Sequence, residues 1–419
     1  MKLCIHRGAT QIGGTCVELQ AHGQRLLLDI GMPLDHEQGQ EASLPESLDL
    51  NRANPIAAVA ISHPHADHYG LADRLDPATP FLMGAAAERI LRAARIFTPS
   101  GASFGNVIHY RDRVPIEIGP FSITPYLADH SAYDSYALHV ESDGQGVFYS
   151  GDFRAHGRKA ALFEKLLRLP PSPVDALLME GTTLAREGTD NGFPTESDLE
   201  ARFADLFKAA KGMALVWCSG QNIDRLATVC RAAKRSGRQL ILDMYTAHIL
   251  AATENPRLPQ AHWEGIRVYL PYFQKRRIVD KARFDVSDLY RDQRIFPEAL
   301  SAAAPGSVML FRPSMSADLE KANCLSGAVL VYSMWDGYLN DERNQPFLNW
   351  LARHGIAIEK CHTSGHASRK DLLRLRDRFQ QASLIPIHTP VPDAYAQAFD
   401  NVETLPDGEW RIIERRTTP

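Results

Sequence analysis

The chain has 419 residues, 44% of them hydrophobic and 23% charged, a composition typical of a soluble globular protein with two or three domains. No segment approaches the roughly 18 consecutive apolar residues that a membrane span needs, so we expect no membrane partner. The net charge of −4 argues against non-specific coating of nucleic acid but is compatible with a local basic groove.

The N-terminal residues lack the continuous apolar region of a signal peptide and instead predict a strand, a turn and a second strand. The six cysteines are scattered, with no CxxC pair and no framework spacing, which indicates buried reduced thiols. We therefore expect a cytoplasmic protein.

The first part of the chain predicts a β-rich domain. Its strand segments are short apolar or alternating runs that end at turn residues: RLLLDIG, IAAVAISH, FSITPYLADH, YALHVESDGQGVFYSGDF and DALLMEG. The polar stretch from Arg186 to Asp198 is the predicted linker. Within it, Thr195 and Asp198 are spaced as a helix N-cap with an acidic first turn.

After the linker the pattern changes to alternating helices and strands, which predicts βαβ units around a parallel sheet. The last strands and helices continue this pattern after QPFLNWLARHG. They are too few for a separate domain, so we expect this tail to pack back on the β-rich part.

A metal-ligand cluster is predicted where the strand IAAVAIS ends, in the sequence HPHADH. Alternate residues of an extended loop point to one side, so His63 and His65 can serve one ion. Asp67 and His68 turn with the following helix, predicted over YGLADRL, and can serve a neighbouring ion. Imidazole with carboxylate suits zinc or manganese.

Two further ligand candidates end downstream strands. His130 follows a strand in LADHS, and Asp152 follows one in YSGDF. Either residue alone is compatible with a structural role in a turn, but together with the histidine loop they form a ligand set.

This combination resembles the metallo-β-lactamase superfamily: Asp29 after an early strand, the HxHxDH loop, His130, and Asp152 in SGDF. The resemblance implies an α/β fold, namely an αββα sandwich with a dinuclear metal site. It implies one ion held by His63, His65 and His130, a second held by Asp67 and His68, and Asp152 bridging both. Asp29 would orient the histidine loop from behind the ligands.

Three later segments resemble the β-CASP subfamily, which contains nucleases such as ribonuclease J. Glu180 ends a strand in LLMEGTT, His366 lies in CHTSGHAS with His362 as a supporting residue, and His388 ends a strand in LIPIHT. The resemblance implies an inserted β-CASP α/β domain at residues 195–344. The metallo-β-lactamase domain would comprise residues 1–194 and be completed by residues 345–419.

The resemblance also bears on the substrate and on the length of the chain. A histidine at the position of His388 accompanies RNA-active members of the subfamily, so we expect single-stranded RNA as the partner. The sequence ends about thirty residues after His388, so we expect a short form without the C-terminal domain of ribonuclease J. The oligomeric state stays open, and a homodimer is one of its alternatives.

The expected chemistry is hydrolysis of phosphodiester bonds. Two zinc ions, with manganese as an alternative, activate a bridging hydroxide and clamp the phosphate. We assign Asp67 to orienting that hydroxide as well as to binding metal. We assign His366 to protonating the leaving oxygen, with Glu180 positioning it and His388 completing the ligands of the second ion.

Candidate substrate contacts are Ser219, Ser364, Arg312 and Arg369, with a further basic run at Lys275, Arg276 and Arg277. Helix capping explains the strand-end serines equally well. A β-CASP DNA nuclease and a small-molecule metallohydrolase for thioesters or lactones stay as alternatives. Whether cleavage is endonucleolytic, 5′-exonucleolytic or both is open.

Overall fold

A computed structural model describes residues 1–34, 41–50, 54–98 and 104–415. The chain forms two compact units. The first comprises Met1–Leu91, Ser100–Phe193 and Gly365–Pro419, and the second comprises Arg92–Pro99 and Pro194–Ser364. Among the helices in the described ranges, none is long and apolar enough to cross a membrane.

The first unit contains a seven-stranded sheet that includes both early and late parts of the chain. Strand β1 pairs antiparallel with β2 and, on its other side, with the C-terminal strand β19. The strands, in spatial order, are β19 (Trp410–Ile412), β1 (Lys2–Arg7), β2 (Cys16–Ala21), β3 (Gln24–Leu28), β4 (Ile56–Ala60), β5 (Pro80–Met83) and β6 (Asn106–His109).

A six-stranded sheet forms the second layer of the first unit. Its strand β18 pairs in parallel with β11, which brings the chain segment after residue 365 into this sheet. In spatial order the strands are β18 (Ser383–Ile387), β11 (Ala176–Glu180), β10 (Gln145–Tyr149), β9 (Ser135–Ser142), β8 (Phe121–Ala128) and β7 (Ile116–Ile118).

The alternation of side chains along the strands divides the apolar residues between a core that lies between the two sheets and a cluster on the outer face of each sheet. In β3, Leu26 and Leu28 join the core between the sheets, whereas Leu27 packs in a separate cluster on the outer face. In β10, Tyr149 lies in the same inner core and Phe148 on the outer face of the other sheet. Both faces of each sheet therefore carry buried apolar side chains. The outer faces must be covered by helices.

Helices cover the outer faces and complete the αββα sandwich. Leu91 of α2 packs in the cluster outside the seven-stranded sheet, and Phe163 of α3 and Leu372 of α13 pack outside the six-stranded sheet. The predicted fold class is thereby confirmed. The helices that contribute to the first unit are α1 (Ala66–Tyr69), α2 (Ala85–Ala94), α3 (Ala161–Arg168), α13 (Arg369–Arg378) and α14 (Asp393–Ala398).

The second unit is built around a parallel six-stranded sheet, as the alternating pattern predicted. Its first helix, α4, begins with a capping box in which Thr195 and Asp198 exchange hydrogen bonds, which confirms the predicted N-cap. The strands, in spatial order, are β14 (Ile266–Tyr269), β13 (Gln239–Asp243), β15 (Ser307–Leu310), β12 (Ala214–Trp217), β16 (Val329–Tyr332) and β17 (Ala357–Lys360).

Nine α-helices of the described residues belong to this second unit. They are α4 (Glu196–Ala209), α5 (Ile223–Arg235), α6 (Met244–Ala252), α7 (Tyr272–Asp280), α8 (Phe284–Asp288), α9 (Pro297–Ala303), α10 (Ser316–Lys321), α11 (Asp336–Leu339) and α12 (Gln345–Arg353). Helix α12 and strand β17, which lie in the predicted tail, are part of this unit. The division into residues 1–194, 195–344 and 345–419 stays a prediction.

Candidate metal centre and active site

The candidate site lies in the first unit, where several strands end. His63 follows β4 in the seven-stranded sheet. His130, Asp152 and His388 follow β8, β10 and β18 of the other sheet, and Glu180 is the last residue of β11. Strands that end at one edge of a sandwich bring their following residues together, so side chains far apart in sequence meet here.

The histidine loop is held by backbone hydrogen bonds on both sides of Asp67. Thr15 N donates to Asp67 O at 3.1 Å, and Ile30 N donates to His68 O at 2.8 Å. Gly31 allows this close approach, because a Cβ atom there would lie 1.7 Å from Asp67 O. Helix α1 begins at Ala66 and is a single turn, shorter than the predicted YGLADRL helix and shifted towards the N-terminus.

The predicted ligands come together in overlapping groups. In each group one ligand atom per residue lies within 4.8 Å of the others, as expected for a shared ion. The groups are His63–His65–His130, His63–His68–Asp152, Asp67–His68–His388 and His130–Asp152–His366.

Asp152 lies at the centre of these groups. Its Oδ2 atom is 3.6 Å from His63 Nε2, 3.3 Å from His68 Nε2 and 3.7 Å from His388 Nε2. Ligands at about 2.0–2.2 Å from one tetrahedral zinc ion are separated by roughly 3.3–3.6 Å. The carboxylate and the three imidazoles are thus spaced as ligands of bound metal would be.

Buried polar atoms without partners provide an independent test of this fit. Across the described residues, His63 Nε2, His68 Nε2, His388 Nε2 and Asp152 Oδ1 are buried and make no hydrogen bond. Leaving such atoms unpaired costs about 1–3 kcal/mol each, unless another group satisfies them. Metal ions would satisfy all four, so the donor set fits metal.

The pKa shifts of four of the histidines also suit metal binding, which requires neutral imidazoles. Burial lowers the pKa of His63 and His130 well below the usual histidine value, and it also lowers the pKa of His65 and His388. His68 differs, because the carboxylates of Asp152 and Asp29 outweigh the effect of burial and raise its pKa.

Asp29 orients the histidine loop through four hydrogen bonds. It accepts from Ser62 N at 2.6 Å, Ser62 Oγ at 2.7 Å, Tyr149 OH at 2.5 Å and His68 Nδ1 at 2.7 Å. With Nδ1 donating to Asp29, His68 presents its Nε2 lone pair to the cluster. The sequence analysis missed Ser62 and Tyr149, because neither residue type carries a ligand signal.

Thr15 is a further residue that the sequence did not indicate. Its hydroxyl Oγ1 lies 2.8 Å from His388 Nδ1, so the imidazole is held with Nε2 facing Asp67 and Asp152. His388 itself follows β18 with a positive φ of 50° and donates its backbone N–H to Gly8 O at 2.7 Å. These contacts fix the ring beside the cluster.

His366 and Glu180 form a pair beside the ligands. His366 Nδ1 lies 3.2 Å from Glu180 Oε2 and 3.6 Å from Asp152 Oδ2. Burial alone would lower the pKa of His366, but the negative charges of Glu180 and Asp152 outweigh it and raise the pKa to about 9. The His366 side chain is 22% exposed, against 2% or less for Asp152 and Glu180. A protonated, solvent-facing imidazole can therefore donate a proton.

The other predicted residues lie outside this cluster. Arg369 belongs to the first unit, where its guanidinium pairs with Asp190 on the surface. His362, Ser364, Ser219 and Arg312 belong to the second unit.

Within the second unit, Ser219 and Arg312 follow the adjacent parallel strands β12 and β15. Arg312 Nε donates to the buried carboxylate of Asp243 at 3.1 Å, and the Ser219 hydroxyl accepts from Gln221 N at 3.3 Å. His362 Nδ1 lies 3.5 Å from Arg225 Nη1. The substrate-contact roles stay predictions.

Two family profiles match the chain. Residues 24–211 match the "Beta-lactamase superfamily domain", and residues 356–403 match the "Zn-dependent metallo-hydrolase RNA specificity domain". The first match includes the histidine loop, His130, Asp152 and Glu180, and the second includes His366 and His388. Residues 24–211 are therefore similar to domains of the β-lactamase superfamily, and residues 356–403 to a zinc-dependent metallo-hydrolase domain.

Over most of its length the chain is similar to proteins named Ribonuclease J. It is 23% identical over 387 residues to that of Sinorhizobium meliloti, covering 88% of this chain and 64% of the relative. It is 24% identical to that of Mycobacterium tuberculosis over 408 residues, covering 91% of this chain and 67% of the relative. These matches show similarity to ribonuclease J over most of this chain, which spans only about two thirds of the length of these relatives.

A solved structure shares the fold over nearly the whole length. The chain superposes on a protein of unknown function from Enterococcus faecalis V583 with a TM-score of 0.77 and 19% identity. The superposition covers 98% of this chain and 99% of that one. The likeness supports the fold alone.

Proposed function

We propose that this protein is a metal-dependent ribonuclease that hydrolyses phosphodiester bonds of single-stranded RNA. The observation that carries the proposal is the His366–Glu180 pair beside the unsatisfied His/Asp cluster. This arrangement puts a proton donor next to a centre able to hold metal. The match of residues 356–403 to an RNA specificity domain, and the name of the relatives, support RNA as the substrate.

The proposed cofactor is a pair of zinc ions, with manganese as the alternative. His63, His65 and His130 would hold one ion, Asp67, His68 and His388 the other, and Asp152 would contact both. Bound ions would supply Lewis acidity toward the phosphate oxygens and a nucleophilic water at neutral pH.

The chain's own residues have separate tasks in this proposal. Asp67 is 16% exposed at its side chain, so its carboxylate can accept a hydrogen bond from the attacking water as well as bind metal. His366 protonates the leaving 3′ oxygen, and Glu180 holds it in position and keeps it protonated. Asp29 and Thr15 fix the rings of His68 and His388.

Three further features are part of the proposal. The β-CASP domain is inserted at residues 195–344 between the two parts of the metallo-β-lactamase domain. The protein acts in the cytoplasm, which is supported by its six unbridged cysteines, all of them among the described residues. The candidate substrate contacts are Ser219, Ser364, Arg312 and Arg369. His362 is a candidate for a residue that supports the site without contacting the substrate.

The test is cleavage of 5′-end-labelled RNA bearing a monophosphate, with zinc or manganese, by the wild type, His366→Ala and the control His22→Ala. His22 is exposed and pairs with Asp143 in the same unit. We expect cleavage by the wild type and control, its loss in His366→Ala, and equal metal content in all three. Mononucleotides or internal fragments would give the mode of cleavage.

Labelled DNA of the same sequence and small thioester and lactone substrates are tested in parallel. Absence of RNA cleavage by the metal-loaded wild type would overturn the proposal, and cleavage of one of the other substrates would replace it.

A further inference from the structure

A segment of the second unit, residues 272–296, exposes an unusual number of large apolar side chains. It comprises α7, α8 and the chain up to the start of α9. Besides Val279, which is 50% exposed, five large apolar side chains of the segment are between 48% and 66% exposed: Tyr272, Phe273, Phe284, Leu289 and Phe296. Four of these five are aromatic, and exposed apolar groups of this size commonly mark binding sites.

The same segment is basic in a chain whose net charge is −4. It contains seven Lys and Arg residues against four Asp residues. Lys275 and Arg276 are exposed, and neither side chain makes a hydrogen bond or ion pair in the described ranges of the structure. These two cations are therefore available to an anionic partner.

Aromatic and cationic side chains also stack on one another in this segment. The guanidinium of Arg277 lies 5.1 Å from the centre of the Phe273 ring, and that of Arg294 lies 5.1 Å from the Phe296 ring. Each pair offers an aromatic face and a positive charge side by side. Single-stranded nucleic acids are bound by this combination, because bases stack on rings while cations contact phosphates.

The inner face of α7 anchors the surface. Gln274 Oε1 accepts from Tyr245 N at 2.9 Å, and Gln274 Nε2 donates to Asp243 Oδ1 at 3.1 Å. Ile278, one turn later, is 2% exposed. The exposed face of the helix is thus presented on a fixed support.

We propose that residues 272–296 form a binding surface for single-stranded RNA that is additional to the metal centre. That the polynucleotide is RNA rests on the proposed function, whereas the surface itself is argued from charge and stacking. A protein partner fits less well, because lysines are depleted from the centres of protein interfaces and the unpaired cations would need carboxylates opposite.

The experiment measures binding of a fluorescein-labelled single-stranded oligouridylate to the zinc-loaded His366→Ala protein, which leaves the RNA intact. One variant adds Lys275→Glu and Arg276→Glu, and a second adds Tyr272→Ala and Phe273→Ala. The charge control adds Lys208→Glu and Lys211→Glu, two exposed lysines of the same unit with an equal change in net charge.

We expect each test variant to bind about tenfold more weakly, and the control to bind like the parent. In the charge variant, the magnitude of the slope of log affinity against log salt concentration should fall by about two. In the aromatic variant, the slope should not change. Circular dichroism and thermal melting confirm that each variant is folded.

Equal affinity of all variants would overturn the proposal. So would a duplex RNA bound as tightly as the single strand, or a self-association of the parent in sedimentation that the test variants abolish. Failure of the proposed function can be told apart from failure of this binding surface. It would appear as absence of RNA cleavage by the protein that retains His366, whatever the binding measurements show.

Discussion

Two buried charged clusters of this molecule differ in whether their polar atoms are satisfied. In the second unit, Arg225 Nη2 donates to Glu196 Oε1 at 3.0 Å, Thr228 Oγ1 donates to Glu196 Oε2 at 2.6 Å, and Arg225 Nη1 donates to Ser333 O at 3.2 Å. In the first unit, four nitrogens of the cluster histidines and one oxygen of Asp152 lack hydrogen bonds among the described residues.

The difference separates a structural cluster from a functional one. Both clusters are almost inaccessible to water, with 0–1% side-chain exposure for the Arg225–Glu196 pair and 2% for Asp152. A satisfied cluster stabilises the fold as it stands, whereas an unsatisfied one depends on a group from outside the chain.

Asp152→Asn is the strongest test of the functional cluster. It removes the charge at the centre of the site, so we expect loss of metal and a fall in RNA cleavage of about 10³-fold or more. The free energy of unfolding of the metal-free protein should fall as well, because the substitution removes the carboxylate charge that pairs with His68 and raises its pKa. Metal analysis, cleavage rates and urea denaturation measure these quantities. Full metal content in the variant would contradict the ligand assignment.

Glu196→Ala tests the satisfied cluster in the opposite sense. It leaves the Arg225 guanidinium buried without its carboxylate, so the free energy of unfolding should fall by about 3–5 kcal/mol with metal content unchanged. Glu200→Ala is the matched control on the same helix, because its partners Arg231 and Arg235 are largely exposed, and it should cost under about 1 kcal/mol. Equal costs for the two variants would remove the distinction between the clusters.

Glu180→Gln tests whether the carboxylate acts through His366. We expect kcat to fall about 10²-fold with metal content retained. A proton donor works below its pKa, and the charges of Glu180 and Asp152 together raise the pKa of His366 to about 9. The alkaline limb of the pH–rate profile should therefore move to lower pH in the variant. Glu164→Gln, at a surface pair with Arg374, is the control. If the alkaline limb lies at the same pH in the wild type and in Glu180→Gln, Glu180 has only a structural role.

Thr15→Val is expected to have the smallest effect of these four substitutions. It removes the hydroxyl that holds His388 Nδ1, so the affinity for metal should fall about 10- to 100-fold. Thr189→Val is the control, because its hydroxyl donates to the backbone of Arg186. Competition with a chromogenic zinc chelator measures the affinities, and equal values for the two variants would exclude a role of Thr15 in metal binding.

The sequence predicted the fold and grouped the chemistry-bearing residues, because both leave regular signals. Strand periodicity indicated the sheets, and the spacing HxHxDH indicated ligands on one loop. Thr15, Ser62 and Tyr149 left no signal, since a hydroxyl on a strand or turn is common and only its three-dimensional neighbour gives it a role.

The helix after the histidine loop was misjudged for a local reason. Gly70 N donates to Ala66 O and closes a single turn, and a Cβ atom at Gly70 would lie 2.4 Å from that same oxygen. The apolar spacing in YGLADRL resembled a longer helix, but Leu71 N donates instead to Ile30 O. Tertiary hydrogen bonds thus ended the helix where propensity would have extended it.

The position of β18 in the six-stranded sheet has a consequence during protein synthesis. Its neighbour β11 ends at Glu180, about 200 residues earlier, and β18 immediately precedes His388. A ribosome makes the N-terminal part first, so a nascent chain can carry most of the cluster while it still lacks His366 and His388. The proposed ribonuclease activity would therefore begin only after the segment with His366 and His388 has left the ribosome and β18 has paired with β11.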